Sequence, residues 1–117
     1  MELIEYGSNS NGSYLKYANG TMVQWGTVTV NIANIYNSNI GTYGWSLYYG
    51  GTNTIAFPEQ FASNPVITAT GNDTTGSGKG CSATAYDQSA AAFKMQGIHF
   101  ADCGNTFFGW RAEGLWK

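Results

Sequence analysis

Short runs of β-branched and aromatic residues, separated by clusters of Gly, Asn and Ser, recur along this chain in the pattern of strands divided by turns. Two such runs, 12–18 and 21–30, flank Asn19-Gly20, a dipeptide suited to the positive φ angles of a two-residue hairpin turn. That turn sets Ala18 against Thr21, Tyr17 against Met22, Leu15 against Gln24 and Tyr14 against Trp25, pairing two aromatics across the ladder. The second run extends through Val28 and Val30 to Ile32, with a bend or change of sheet at Gly26.

The rest of the chain continues the pattern. Residues 33–42, rich in Asn, predict a loop, and Tyr43 to Tyr49 alternates around Trp45 and Leu47. Gly50-Gly51 then predicts a second hairpin turn into Thr52 to Phe57. Pro58 cannot donate to a ladder, so that strand ends there. Val66 to Thr70 is a five-residue strand, and Gly71 to Gly80, with no apolar residue, predicts a mobile surface loop. Ser82 to Asp87 and Ala92 to Ala101 form a third hairpin turning near Ser89-Ala90, with Phe93, Met95, Gly97 and His99 on one face and Cys81 opposite a residue near His99. Phe107 to Trp116 closes the sheet. Met1 to Asn11 is polar and predicts a linker or stalk end, leaving 12–117 as one antiparallel β-sandwich of seven or eight short strands.

Composition agrees. Charged residues make up 10% of the 117, against about 25% in an average globular domain. The net charge is −2 and the five basic residues are scattered, which argues against a nucleic-acid partner. No apolar run approaches the roughly 18 residues of a membrane span, and the opening residues lack the pattern of a signal peptide. Cys81 and Cys103 match no zinc spacing, and either a bridge or two thiols is compatible with the sequence.

Catalytic chemistry finds few residues to use. His99 is the single histidine and falls in a predicted strand, which favours a core or groove role over a Ser-His-Asp arrangement. The carboxylates Glu59, Asp73, Asp87, Asp102 and Glu113 fall in separate elements, so no spacing pairs two of them for glycoside hydrolysis. Gly76-Ser77-Gly78-Lys79-Gly80 lacks the Ser or Thr after Lys and the following helix of a phosphate loop. Asp73 and Asp87 lack the neighbouring acids of a calcium site. The expectation is a non-enzymatic protein without metal or cofactor.

Aromatic residues reach 15%, more ring surface than a small sandwich core buries, so some rings line a groove or a subunit contact. An aromatic platform beside Asn, Asp, Gln or Arg side chains suits the apolar face and hydroxyl rim of a sugar. Trp45, Tyr48, Phe100, Asp102, Trp110 and Arg111 are the candidate saccharide contacts.

Three segments in order carry a resemblance: the Asn19-Gly20 turn followed by Thr21-Met22-Val23-Gln24-Trp25-Gly26; Thr54 to Phe61 followed by Asn64 to Thr70; and Phe108 to Trp116. Together they resemble the C-terminal receptor-binding tip domains of bacteriophage tail fibres. The resemblance implies a trimer at the distal end of a virion fibre, acting outside the host bacterium on a surface saccharide; the alternative it allows is a trimerising cap with no ligand. The order from Phe57-Pro58 to Trp110 is also similar to the H-type lectins. Aligned on Phe93-Lys94, that likeness implies sugar contacts at Phe100 and Ala101 and a strand arginine at Thr84, of which only the aromatic at Phe100 is kept, with Asp102 and Arg111 as polar candidates nearby.

Overall fold

The computed structural model describes residues 2–32, 34–40, 45–71, 81–99 and 104–117. It is all-β and antiparallel, with no helix among the described residues. Among the described residues ten strands follow one another: β1 (Leu3–Asn9), β2 (Gly12–Tyr17), β3 (Thr21–Ile32), β4 (Asn34–Ile40), β5 (Trp45–Gly51), β6 (Ile55–Ala56), β7 (Val66–Gly71), β8 (Cys81–Tyr86), β9 (Ala92–His99) and β10 (Gly104–Leu115). One sheet has the order β1-β2-β3-β10-β7; the other runs β4-β5-β9-β6, with β8 also paired to β9.

The core lies between the sheets. From the first come Met22, Val30 and Ile32 of β3 and Phe108, Trp110 and Ala112 of β10; the second contributes Phe93 and Met95 of β9. Phe57 and Phe61, from the connection after β6, close one end. Phe57 stacks on Phe93 at 5.2 Å, and the Trp110 indole meets both rings edge-on at 5.7 and 5.2 Å. Buried Gln24 clamps this connection: its Nε2 donates to the Glu59 carbonyl at 2.6 Å, and its Oε1 accepts from the Glu59 amide at 3.0 Å. Both ends of the side-chain amide are thereby satisfied, as burial of a polar group demands.

Several expectations hold. β3 runs to Ile32, β7 starts at Val66, and β8 pairs with β9 with Cys81 opposite His99. Phe93, Met95, Gly97 and His99 share the buried face.

Others are corrected. The opening segment is no linker; Leu3–Asn9 forms the edge strand β1, paired along β2. Residues 34–40 are strand rather than loop. Gly50 and Gly51 lie inside β5, opposite Gly97 and Gln96 of β9, instead of turning the chain. Gly50 is required there because a Cβ would run into the Asn31 carbonyl of β3. Of the loop expected over Gly71 to Gly80, Gly71 ends β7 and 72–80 lie outside the described residues, as does Cys103.

The first hairpin differs in a way that matters for the site. The pairs are Lys16 with Met22, Leu15 with Val23, Tyr14 with Gln24 and Ser13 with Trp25. The turn therefore holds three residues, Ala18-Asn19-Gly20, closed by the Gly20 amide donating to the Tyr17 carbonyl at 3.0 Å, with Gly20 at φ 95°. Asn19 Oδ1 accepts from the Thr21 amide at 3.0 Å. One extra turn residue shifts the register by one, and a shift of one reverses which face each side chain takes relative to its partner strand. Tyr14 points inward and Trp25 outward.

β1 is held by charge as well as by its ladder. Tyr14 Oη donates to Glu5 Oε2 at 2.6 Å, and Lys16 Nζ stands 3.6 Å from both Glu5 and Glu59. The hydrogen bond to Glu5 pushes the Tyr14 phenol up to about 12 and, from the other side, lowers the Glu5 carboxyl. This contact needs Glu5 ionised and Tyr14 protonated. Its contribution is lost as pH falls through the lowered Glu5 value and again as pH rises through the raised Tyr14 value. Absorbance titration should therefore find one tyrosine ionising near 12 that is missing in Tyr14→Phe, while carboxyl shifts of the variant show Glu5 returning upward; no change at Glu5 would refute the coupling. Gly50→Ala should destabilise the domain by about 1–3 kcal/mol through overpacking. Gly51→Ala, whose Cβ would have its nearest neighbour at 3.6 Å, should be tolerated. Equal denaturation midpoints for the two variants would contradict the close approach of β5 to β3.

Candidate functional site on the outer face of the first sheet

Because β3 and β10 pair residue for residue, from Gly104 with Ile32 to Leu115 with Thr21, side chains form rows across the sheet. Even-numbered residues of β3 and of β10 from Thr106 onward point into the core and odd-numbered ones out, as the alternation of a strand requires. On the outer face one row reads Ser8, Ser13, Trp25, Arg111 and Thr68, from edge strand β1 to edge strand β7. The next row toward one end holds Thr27, Gly109 and Thr70. The next row the other way holds Tyr6, Leu15, Val23, Glu113 and Val66. A band of hydroxyls around one Trp and one Arg thus borders a mostly apolar band.

Trp25 is the centre of the first band. Its side chain is 37% exposed, and three depressions meet at it. The first, about 370 Å³, is floored by Gly26 and Gly109 and walled by Thr68, Thr70 and Arg111. The second, about 260 Å³, lies at the β1–β2 turn among Ser8, Asn9, Asn11, Ser13 and Thr27. The third, about 400 Å³, is bounded by Leu15, Tyr17, Val23 and Arg111. Ser8 and Ser13 hydroxyls lie 3.1 Å apart. Arg111 donates through Nε to Glu113 Oε1 at 2.9 Å, with both side chains well exposed. That bond uses one of the five N–H groups of the guanidinium and leaves its terminal amino groups for a ligand.

Of the six candidate contacts, Arg111 alone stands in this row, while Trp110, directed inward, also lines the first depression. Trp110, expected as a stacking platform, is a correction: it is 4% exposed and packs against Phe57 and Phe93. Its even position in β10 sends it inward, and the lack of a side chain at Gly26 makes room, since a Cβ there would sit 2.8 Å from the indole. Tyr48 is half-buried against the core in β5 of the other sheet, beside His99. Trp45 opens β5 opposite Ile40, but its side chain lies outside the described ones, as do Phe100 and Asp102 altogether. The segment carrying Phe100 follows β9 of the second sheet, whereas Arg111 belongs to the first. Thr84, the position implied for a lectin arginine, pairs with Gln96 in β8 of the second sheet.

Trp25, Thr68, Thr70 and Gly109 were not among the candidates. Gly109 carried a signal available in advance: a glycine within a β-branched and aromatic run marks a bulge or a close approach. Here a Cβ would meet nothing within 4 Å, so packing does not demand glycine. Among the described residues, no group of three or more His, Cys, Asp or Glu side chains could hold a metal ion.

No protein-family model matches the chain, and no curated protein matches it. Solved structures do. The chain is similar over 95% of its length to a P. aeruginosa R2 pyocin fibre comprising C-terminal residues 323–691, with a TM-score of 0.63 and 16% identity, covering 26% of that structure. It is similar over the same share to an N-truncated R1-type pyocin tail fibre, with a TM-score of 0.58 and 15% identity, covering 86% of it. A P. aeruginosa R1 pyocin fibre comprising C-terminal residues 323–701 also matches, at 0.58 and 16%, with 28% covered. The chain therefore has the fold found in pyocin tail-fibre fragments, and it spans about a quarter of the first of them.

The inversion of the two tryptophans is measurable. Trp110→Ala should cost about 3–5 kcal/mol of stability, as large-to-small core substitutions do, whereas Trp25→Ala should cost about 1 kcal/mol or less, as for a surface position. Chemical denaturation distinguishes them, and equal losses would contradict the register.

Proposed function

We propose that this chain is the receptor-binding tip of a phage or pyocin-like tail fibre and that it recognises a bacterial surface saccharide without covalent chemistry. The observation that carries this reading is the outer-face row in which exposed Trp25 stands between the hydroxyls of Ser13 and Thr68, with Arg111 beside it. A sugar presents an apolar face of C–H groups and a rim of hydroxyls. An indole supplies the complementary plane, and serine, threonine and guanidinium groups supply donors and acceptors at its edge. The Arg111–Glu113 pair carries no net charge, which suits an uncharged glycan. The shared fold with pyocin tail fibres supports placement on such a fibre.

The same reading includes a trimer. The apolar band beside the Trp25 row leaves Tyr6 62% and Val66 75% exposed, and beyond it Leu3, opposite Tyr17, and Leu115, opposite Thr21, are about half exposed. Contiguous apolar surface of this kind marks a contact with another molecule. The radius of gyration, 16.3 Å, exceeds the roughly 13 Å of a compact domain of this length, a shape suited to a subunit of a fibre. Three weak sites on one rigid tip gain avidity of about 10²–10⁴ when they engage together. This apolar band also favours the second reading, a trimerising cap with no ligand, since it needs no sugar.

Fluorescently labelled domain should stain a susceptible strain, with staining competed by that strain's purified surface polysaccharide and weakened at least about tenfold by Trp25→Ala, a loss of about 1.4 kcal/mol. Absence of staining across a broad strain panel would leave the cap. Light scattering should give three times the chain mass of 12.6 kDa, reduced by Val66→Glu; a monomer at micromolar concentration would remove the trimer.

A further inference from the structure

The arrangement of the Trp25 band specifies more than a sugar. We infer that its ligand is an internal stretch of polysaccharide several rings long, lying across the strands from Ser8 to Thr68, with one ring on Trp25 and its rim lodged over Gly109. The inference rests on the saccharide-binding reading and adds the length and direction of the ligand.

Three observations support it. One row runs across the strands: Ser8, Ser13, Trp25, Arg111 and Thr68 occupy successive strands β1, β2, β3, β10 and β7. Four interstrand steps of about 4.8 Å make a track of ~19 Å, room for roughly three or four linked pyranose rings. Depressions lie on both sides of the indole, toward Asn9 and Asn11 on one flank and Thr68 and Thr70 on the other. A single bound ring would use one of them. The track also begins and ends on the two edge strands of its sheet, β1 and β7, and among the described residues no further strand of that sheet extends it at either end.

Gly109 gives the track its depth. It stands between Thr27 and Thr70 in the adjoining row, and a side chain there would meet open space. Its neighbours therefore do not require glycine. A β-branched residue would ordinarily strengthen a strand at such a position, so glycine weakens β10 slightly while opening the furrow beside Trp25. A glycine within a strand commonly marks the close approach of a ligand.

The test uses surface polysaccharide from a strain that the labelled domain stains, cleaved by mild acid and sorted into fragments from one ring upward. Calorimetric affinity should rise at least about tenfold between one ring and three or four, and then level off. Gly109→Val should retain or raise the denaturation midpoint while weakening binding of long fragments at least about tenfold. Thr68→Ala should weaken long fragments and leave short ones unchanged. Trp25→Ala should weaken all lengths, with partial recovery in Trp25→Phe.

Equal affinity for one ring and four would overturn the extended track while leaving saccharide recognition standing, as would Gly109→Val binding at full strength. Binding that follows fragment length yet ignores Trp25→Ala would move the track elsewhere on the surface and refute this placement. If Trp25→Ala or Gly109→Val instead converts an oligomer into monomers, the face is a subunit contact and the inference falls. If no purified polysaccharide binds at any length, both this inference and the reading beneath it fail.

Discussion

The ladder between β3 and β10 is the constraint on which the molecule depends. These two strands pair over their whole lengths at the centre of the first sheet, and β2 and β7 attach to their outer sides. Once Met22, Gln24, Val30 and Ile32 of one strand and Phe108, Trp110 and Ala112 of the other are buried, alternation sends their odd-numbered neighbours to the opposite face. A slip of one residue would expose the whole apolar set, so burial and register enforce each other. The outer band around Trp25 and Arg111 is a consequence of what the inner face buries.

The second sheet completes the core by close approach. Gly97 of β9 lies where any side chain would collide with Phe108 and Ile32, and Gly50 of β5 lies against the backbone of β3. Glycine at these two paired positions lets the layers close around large rings from the first sheet, the alternation of large and small that dense packing needs. Gln24 adds a polar fixture within the same core, joining β3 to the connection that carries Phe57 and Phe61. The C-terminus is tied down as well: Trp116 Nε1 donates to the Tyr17 carbonyl at 2.8 Å, and its amide donates to the Gly20 carbonyl at 2.9 Å. The turn that sets the first register is thus fastened by Trp116, just past the end of β10.

The proposed function follows from the division between faces. The inner face uses its rings for stability, and the outer face keeps one indole among hydroxyls. Solved pyocin fibre fragments share this fold at about 15% identity, a level at which fold persists and side chains on the surface are free to differ. Under the proposed saccharide reading, the outer band is where a ligand would be selected, because changes there leave the ladder and core intact.

Local sequence chemistry was enough for the fold class, for β3, β7, the β8–β9 pairing and the strand that ends the chain, because alternation and turn residues act over a few positions. It also placed Phe93, Met95 and His99 on one face, which the structure buries. The polar opening segment concealed β1, since an edge strand needs no apolar face of its own when its neighbour supplies the ladder. Gly50-Gly51 misled for a related reason: the same dipeptide that permits a turn also permits two backbones to approach, and only the position of β3 distinguishes them. The aromatic excess pointed to a ring on the surface without saying which. Trp25 and Trp110 are equally hydrophobic, and the β3–β10 ladder, with the space left by Gly26 opposite Trp110, sent the first outward and the second in. Parity along a strand is a local property that sequence determines; which parity faces the core is settled by the partner across the ladder and the layer behind it, and that only the tertiary structure decided.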